Sequence, residues 1–199
     1  MSTFFDRVSR LFEGSAHIGA KGLHDDGRFV PERRRPAAVL IAVTERSEPG
    51  VILTHRPQSM QSHPGQVAFP GGKIEAGESA IEAALREAEE ELSITPSAVR
   101  VVGEAAQFAT GSGYDLTPVL GVVPPDISIS PDPREVDDWF EAPLRFVLDP
   151  ANHEQKVGLF KGHERAYIEI NWQGHRIWGI TAGILSNLSH RLAWQELVA

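Results

Sequence analysis

Cysteine is absent from the 199 residues. Its absence excludes disulfides, thiolate metal sites and a cysteine nucleophile. Nothing in the chain asks for an oxidising compartment. Positive charge is in short supply: 19 Lys and Arg stand against 27 Asp and Glu, a net charge of −8. A binder of nucleic-acid backbone usually shows the opposite balance, so no nucleic-acid partner is expected. An acidic protein acting on an anionic substrate needs local cations instead. No apolar run approaches transmembrane length, and membrane insertion is not expected. The N-terminal apolar stretch is interrupted by Asp6, Arg7 and Arg10, unlike a signal peptide, and the chain ends Leu197-Val198-Ala199, not in a peroxisomal address. Cytoplasmic residence is the default expectation. Length and composition suit one soluble domain with modest additions at its ends.

Hydrophobic patterning divides the chain. Phe4, Phe5, Val8, Leu11 and Phe12 follow helical spacing and predict a short amphipathic helix that docks on its own domain. Residues 14–36 are rich in Gly, Pro and charge and read as an irregular connection, so 1–36 is an N-terminal helix and linker and 37–199 the main domain. Arg33, Arg34 and Arg35 read better as a solvated basic loop than as a phosphate site. Apolar runs at 37–43 and 50–54 predict neighbouring strands, 57–66 a loop, and 67–69 a short strand stopped by Pro70-Gly71-Gly72. Further strands are expected at 99–108, 116–123 and around 136–140, with a Pro-rich loop at 124–133 and a helical stretch from Leu144. Residues 150–165 are polar and read as mobile. A hairpin is expected around Gln173-Gly174, and a last helix over 181–197. Strands interleaved with helices and hairpins indicate an α/β or α+β domain.

Residues 79–92 give the clearest helix. Ser79 and Glu82 have capping-box spacing, and Ile81, Ala84, Leu85, Ala88 and Leu92 form a core-facing stripe. Glu87, Glu90 and Glu91 fall at i, i+3 and i+4, so their carboxylates share a face, while Glu89 points elsewhere. Ala83, one turn earlier, is small and leaves that face open. Three carboxylates in the last turns of a helix repel one another and oppose the macrodipole. A hard cation with oxygen ligands, magnesium or manganese, would relieve them. A solvated acidic face is the competing reading, and the helix alone does not decide between the two.

The wider spacing does decide. Gly72, Glu78, Arg86, Glu87, Glu90 and Glu91 fill the pattern Gly-x5-Glu-x7-Arg-Glu-x-x-Glu-Glu, which resembles the signature box of the Nudix hydrolases. Ala88 stands where a larger aliphatic residue is common, and Ser93 replaces the usual glycine. The resemblance implies a Nudix fold, a mixed β-sheet sandwiched between α-helices. It implies Glu87, Glu90 and Glu91 as ligands of Mg2+ or Mn2+. Gly72 would supply a tight turn, and Arg86 would pair with Glu78 or with a ligand carboxylate.

Upstream, Leu53-Thr54-His55-Arg56 and Gly65-Gln66-Val67-Ala68-Phe69-Pro70-Gly71-Gly72 resemble the motif of the coenzyme A diphosphatase branch, as do 110–119 and Trp178-Gly179-Ile180-Thr181-Ala182. Pro57 and Gln61 depart from the branch pattern, a small residue and an arginine being usual there. The resemblance implies hydrolysis of coenzyme A or an acyl derivative to 3′,5′-ADP and 4′-phosphopantetheine or its acylated form, without a covalent enzyme intermediate. Arg56, Gln66, Gly71 and Gly72 are the candidate substrate contacts, with Arg56 suited to clamp a phosphate. His63 could bond substrate, and Tyr114 or Trp178 could stack on a base, though packing suits Trp178 better. The general base stays open among Glu78, Glu90, Glu154 and Glu164. The implied partner is a nucleotide-type small molecule, and a homodimer is compatible with the sequence. Two alternatives remain: hydrolysis of another diphosphate such as ADP-ribose or a dinucleotide, and a ligand-sensing domain without catalysis.

Overall fold

The strand Arg35–Thr44 (β1) is apolar along most of its length because it is covered on both faces. Ala37, Val39, Ile41 and Val43 enter one core; Ala38, Leu40 and Ala42 enter another. A computed structural model of the chain describes residues 3–14, 31–59, 64–160 and 162–197. Within it β1 runs parallel to Tyr114–Val123 (β7), in unbroken register from Arg35↔Tyr114 to Thr44↔Val123. Gly50–His55 (β2) pairs with β1 on its other side, antiparallel. Val67–Ala68 (β3), Gly71–Lys73 (β4), Arg100–Glu104 (β5), Phe108–Ala109 (β6) and Asp138–Pro143 (β8) complete the sheet. Its central order is β3-β2-β1-β7-β5, with β4 on β1, β6 on β7 and β8 on β2.

Helix Ala80–Leu92 (α2) covers one face of this sheet. Helices Phe4–Gly14 (α1) and Ile180–Arg191 (α4) lie on the other, where Phe4, Val8 and Phe12 share a core with Ile184, Leu185 and Leu188. This mixed sheet between helices is the expected α+β arrangement. Among the described residues no helix is long and apolar enough to cross a membrane.

Some boundaries differ from expectation. The strand expected at 99–108 is two pieces, β5 and β6, and pairing lapses opposite Pro118, which has no N–H for a ladder. The strand expected at 136–140 begins later, at Asp138, although Val136 is buried ahead of it. The helical stretch from Leu144 is one turn, Leu144–Val147 (α3), and the last helix stops at Arg191, short of Leu197.

The largest correction concerns residues 150–165, expected to be polar and mobile. They form a 3-10 turn, Pro150–Asn152, then strand Glu154–Phe160 (β9) and the start of His163–Trp172 (β10). With His175–Trp178 (β11) they make a second, antiparallel sheet in the order β11-β10-β9. Polar residues belong there because Glu169 is buried in β10 and takes Lys156 of β9 and Arg176 of β11, each at 2.6 Å. The expected hairpin is present: Gln173 and Gly174 turn with φ of 45° and 89°.

Candidate active site

The helix α2 is fixed at both ends. Ser79 caps it, accepting from the Glu82 amide at 3.2 Å while Glu82 accepts from the Ser79 amide at 2.8 Å. At the other end Ser93 takes the left-handed conformation, φ 59°, and its amide reaches the carbonyls of Ala88 and Glu89. A serine thus fills the position that glycine usually fills, and the helix ends where the glutamates need it to. Ala83 does not leave a face open: Ala83, Ala84 and Ala88 are fully buried, and Ile81 and Leu85 lie at the margin. Small residues on the inward face let the helix lie close to β1 and β4.

That close approach puts carboxylates against backbone. A Cβ on Gly72 would lie 2.3 Å from Oε1 of Glu87, so any larger residue would push that carboxylate from its place. A Cβ on Gly71 would lie 2.4 Å from the Ala38 carbonyl. The Gly71 amide in turn reaches the carboxylate of Glu91, which is buried.

The loop after β7 docks on the end of α2. The amides of Ser130 and Asp132 donate to the carbonyls of Leu92 and Glu91 at 3.0 and 2.9 Å, and Ser93 Oγ donates to the Ser130 carbonyl at 2.9 Å. These satisfy carbonyls that a helix end leaves without partners. Turns at Asp132 then deliver Glu135. One carboxylate oxygen each from Glu87, Glu91 and Glu135 lie within 4.8 Å of one another. Glu135 is the residue that sequence reasoning missed. Its only signal is an acidic cluster, Asp132, Glu135, Asp137 and Asp138, following a Pro-rich stretch.

Burial pushes the Glu91 carboxyl up to about 8, and repulsion from Glu87 adds to it. The Gly71 amide and Arg56 draw it down without prevailing. Burial also raises Glu87, against the pull of Arg86. Adjacent desolvated carboxylates are unfavourable as anions unless a cation joins them. The donor set is oxygen only, which fits a hard divalent ion.

Arg86 makes both of the pairings the sequence allowed. Its Nε and Nη2 grip Glu78 at 2.8 and 3.1 Å, and its Nη1 meets Glu87 at 2.9 Å and Glu90 at 3.0 Å. Nη2 also donates to the Lys73 carbonyl at 3.0 Å, which ties the loop before the helix to the helix. Hydrogen bonds from Arg86, then from the Glu75 amide, hold Glu78 below its usual range. Glu90 lies outside the group of three; its side chain is 50% exposed and turned to Arg86.

Arg56 follows β2, and its charge acts on Glu91. Its amide donates to the Gln66 carbonyl at 3.1 Å and its carbonyl accepts from Gly65 at 3.0 Å, which closes the loop between them. Gln61 and His63 lie outside the described residues. Tyr114 is covered by Arg35, 5.0 Å from its ring, and Trp178 packs edge-on against Tyr167 beneath Arg176. Arg34 is tied to Asp115 at 2.5 Å. Glu154 pairs with Lys156 in the second sheet, and Glu164 is exposed at the start of β10.

Comparison with known proteins gives these features a family. The NUDIX domain matches residues 33–165, from the start of β1 past the carboxylates into β10. The chain is 40% identical to Nudix hydrolase NudL of Enterobacter sp. strain 638 over 158 residues, 78% of this chain and 82% of that one. It is 41% identical to the NudL of Escherichia coli K12 over 157 residues, 78% of this chain and 81% of that one. A solved binary complex of the Ap4A hydrolase of C. elegans resembles it with TM-score 0.48 and 21% identity, over 56% of this chain and 81% of that one. The chain belongs to the Nudix hydrolase family.

Proposed function

We propose that this Nudix hydrolase cleaves the pyrophosphate bond of coenzyme A or an acyl derivative, giving 3′,5′-ADP and 4′-phosphopantetheine or its acylated form. The observation that carries the reading is the convergence of Arg56 and of the Gly71-Gly72 end of the Gly65–Gly72 motif on the carboxylates of α2. The Gly71 amide and Arg56 both act on Glu91, and Gly72 makes room for Glu87. The segment that resembles the coenzyme A diphosphatase motif therefore abuts the chemistry.

Glu87, Glu91 and Glu135 would hold Mg2+ or Mn2+, and Glu90 stands beside them on Arg86. The ion would offset the negative charge of the pyrophosphate and make a bound water more acidic. Arg56 grips a phosphate of the substrate, and its guanidinium supplies the local cation that a chain of net charge −8 requires. Gln66 donates to the substrate beside it. Arg86 orders Glu87 and Glu90 and leaves Glu78 a weak proton acceptor, since Glu78 is already fully engaged. Glu154, paired in the second sheet, is equally unsuited to the task. Glu90, half exposed and beside the carboxylate group, is the better-placed base among the residues the sequence offered.

The test is product analysis on coenzyme A, dephospho-coenzyme A and ADP-ribose side by side, with Mg2+ and with Mn2+. Coenzyme A is expected to be the best substrate. Loss of its 3′-phosphate should lower kcat/KM by on the order of ten- to a hundred-fold. Preference for ADP-ribose would overturn the substrate and leave the hydrolysis standing. Cleavage of none would favour another diphosphate or a sensing role.

A further inference from the structure

The segment from β11 into α4 lies behind the loop that carries Arg56 and Gln66. His55, the last residue of β2, and His175, the first of β11, stand 120 positions apart in sequence, yet Nε2 of one lies 2.8 Å from Nδ1 of the other. His175 lies flat on Phe140 of β8, centroids 3.7 Å apart and planes 12° from parallel. His55 tilts against the same two rings, at 5.4 Å from Phe140 and 5.1 Å from His175. The stack sets the plane of His175, the shared hydrogen bond sets the ring of His55, and Arg56 is the next residue. At the other end of the segment Thr181, buried, donates its hydroxyl to the carbonyl of Val67 at 3.0 Å, and Gln66 is the preceding residue. Between them Gly179 faces Gln66 closely enough that a Cβ would lie 3.5 Å from its Nε2.

We propose that residues 175–181 are a positioning support for the substrate loop, His175 acting on Arg56 through His55 and Thr181 on Gln66 through Val67. The proposal rests on the reading of Arg56 as a phosphate clamp. Its physical basis is geometric. The Arg56 backbone is already closed onto Gln66 and Gly65, so the two anchored ends of this loop decide where the guanidinium starts. A shift of about 1 Å in a positioning element can cost on the order of a hundred-fold in rate. The role argued for His175 runs through His55, which makes it a positioning residue.

The experiment uses the full chain with Mg2+ and the variants His175→Phe and His175→Asn. Phenylalanine keeps the stack on Phe140 and removes the hydrogen bond; asparagine offers a polar atom near the place of Nδ1. Three quantities are read: kcat/KM on coenzyme A, the Kd of 3′,5′-ADP by calorimetry, and the melting temperature. His175→Phe should lower kcat/KM and weaken 3′,5′-ADP binding by on the order of ten-fold. His175→Asn should recover most of both. In an Arg56→Ala background His175→Phe should change neither, because its effect passes through Arg56. Unchanged kinetics and binding in His175→Phe would overturn the proposal, and so would a loss of the same size in the Arg56→Ala background. If His175→Phe fails to fold, Thr181→Val carries the same test through Gln66, read against Gln66→Ala. Absence of turnover on coenzyme A would count against the substrate alone, and the 3′,5′-ADP cycle would still decide for or against the support.

Discussion

Glu169 in the second sheet and Glu91 in α2 both expose little surface, 4% and 7%, but Glu169 lies in a thin outer sheet and Glu91 lies deep under the helix. Burial pushes both upward. At Glu169 hydrogen bonds from Lys156, Arg176 and Asn171 outweigh it and bring the carboxyl to about 2. At Glu91 the neighbour is another carboxylate, and the group is pushed up to about 8. One region supplies its own cations and is complete as it stands. The other gathers carboxylates whose charge Arg56 and Arg86 offset only in part. What separates the two glutamates is how deeply each lies and which charges the surrounding elements bring to it.

The sharpest way to break this contrast is to remove metal or a ligand. Chelation of the stripped protein is expected to abolish turnover. Glu91→Gln should lose at least about a hundred-fold in kcat, as should Glu90→Gln. Both should fold, and Glu91→Gln should be the more stabilised of the two without metal, because Glu90 is half exposed. Near-wild-type rates with unaltered metal affinity, measured by steady-state kinetics and calorimetry, would remove either residue from the site.

On the other side of the contrast, Lys156→Met should destabilise the fold. It deprives a buried anion of one of its two cations, although Lys156 is itself 38% exposed and screened. The expected loss is about 1–2 kcal/mol, read from urea unfolding. A neutral result would mean that Arg176 alone satisfies Glu169.

The two glutamates also give opposite pH dependences. Glu91 binds its proton more tightly folded than unfolded, so without metal it erodes stability as pH rises from its unfolded value of about 4.5 towards about 8. Glu169 has the reverse sign: its contribution is present above about 4.5 and is lost as pH falls towards about 2. In chelator, the melting-temperature advantage of Glu91→Gln over wild type should widen from pH 5 to pH 8. A constant difference would deny that Glu91 is the group that titrates.

The smallest effect is expected at the hairpin of the second sheet. Gln173 holds a positive φ, which asparagine adopts more readily before glycine. Gln173→Asn should raise the melting temperature by about 1–3 °C. A fall would show that the glutamine side chain has a role of its own.

What the sequence made legible follows the same division. Strand β1 and helix α2 could be read because an unbroken apolar run and a 3.6-residue period are direct images of burial. The Glu87, Glu90, Glu91 and Arg86 spacing could be read because one helix carries all four. Residues 150–165 could not. Lys156 and its neighbours have the composition of a solvated loop, and only the buried Glu169 across the sheet turns that composition into a strand. Ala83 was misjudged because a small residue can as well mark close packing as an open face. Glu135 was out of reach for another reason: backbone amides dock its loop on α2, and amides leave no trace in side-chain identity.

The loop after β7 grips the end of α2 through the amides at 130 and 132, so most side chains could stand at 130 without loosening it, whereas the Asp132 carboxylate also accepts from the Arg134 amide at 2.9 Å and shapes the turn. The loop's length has no such latitude. One residue gained or lost between Ser130 and Glu135 would swing the carboxylate away from Glu87 and Glu91. Drift in this loop should therefore appear as substitutions at constant spacing, with the acids at 132 and 135 retained in their midst.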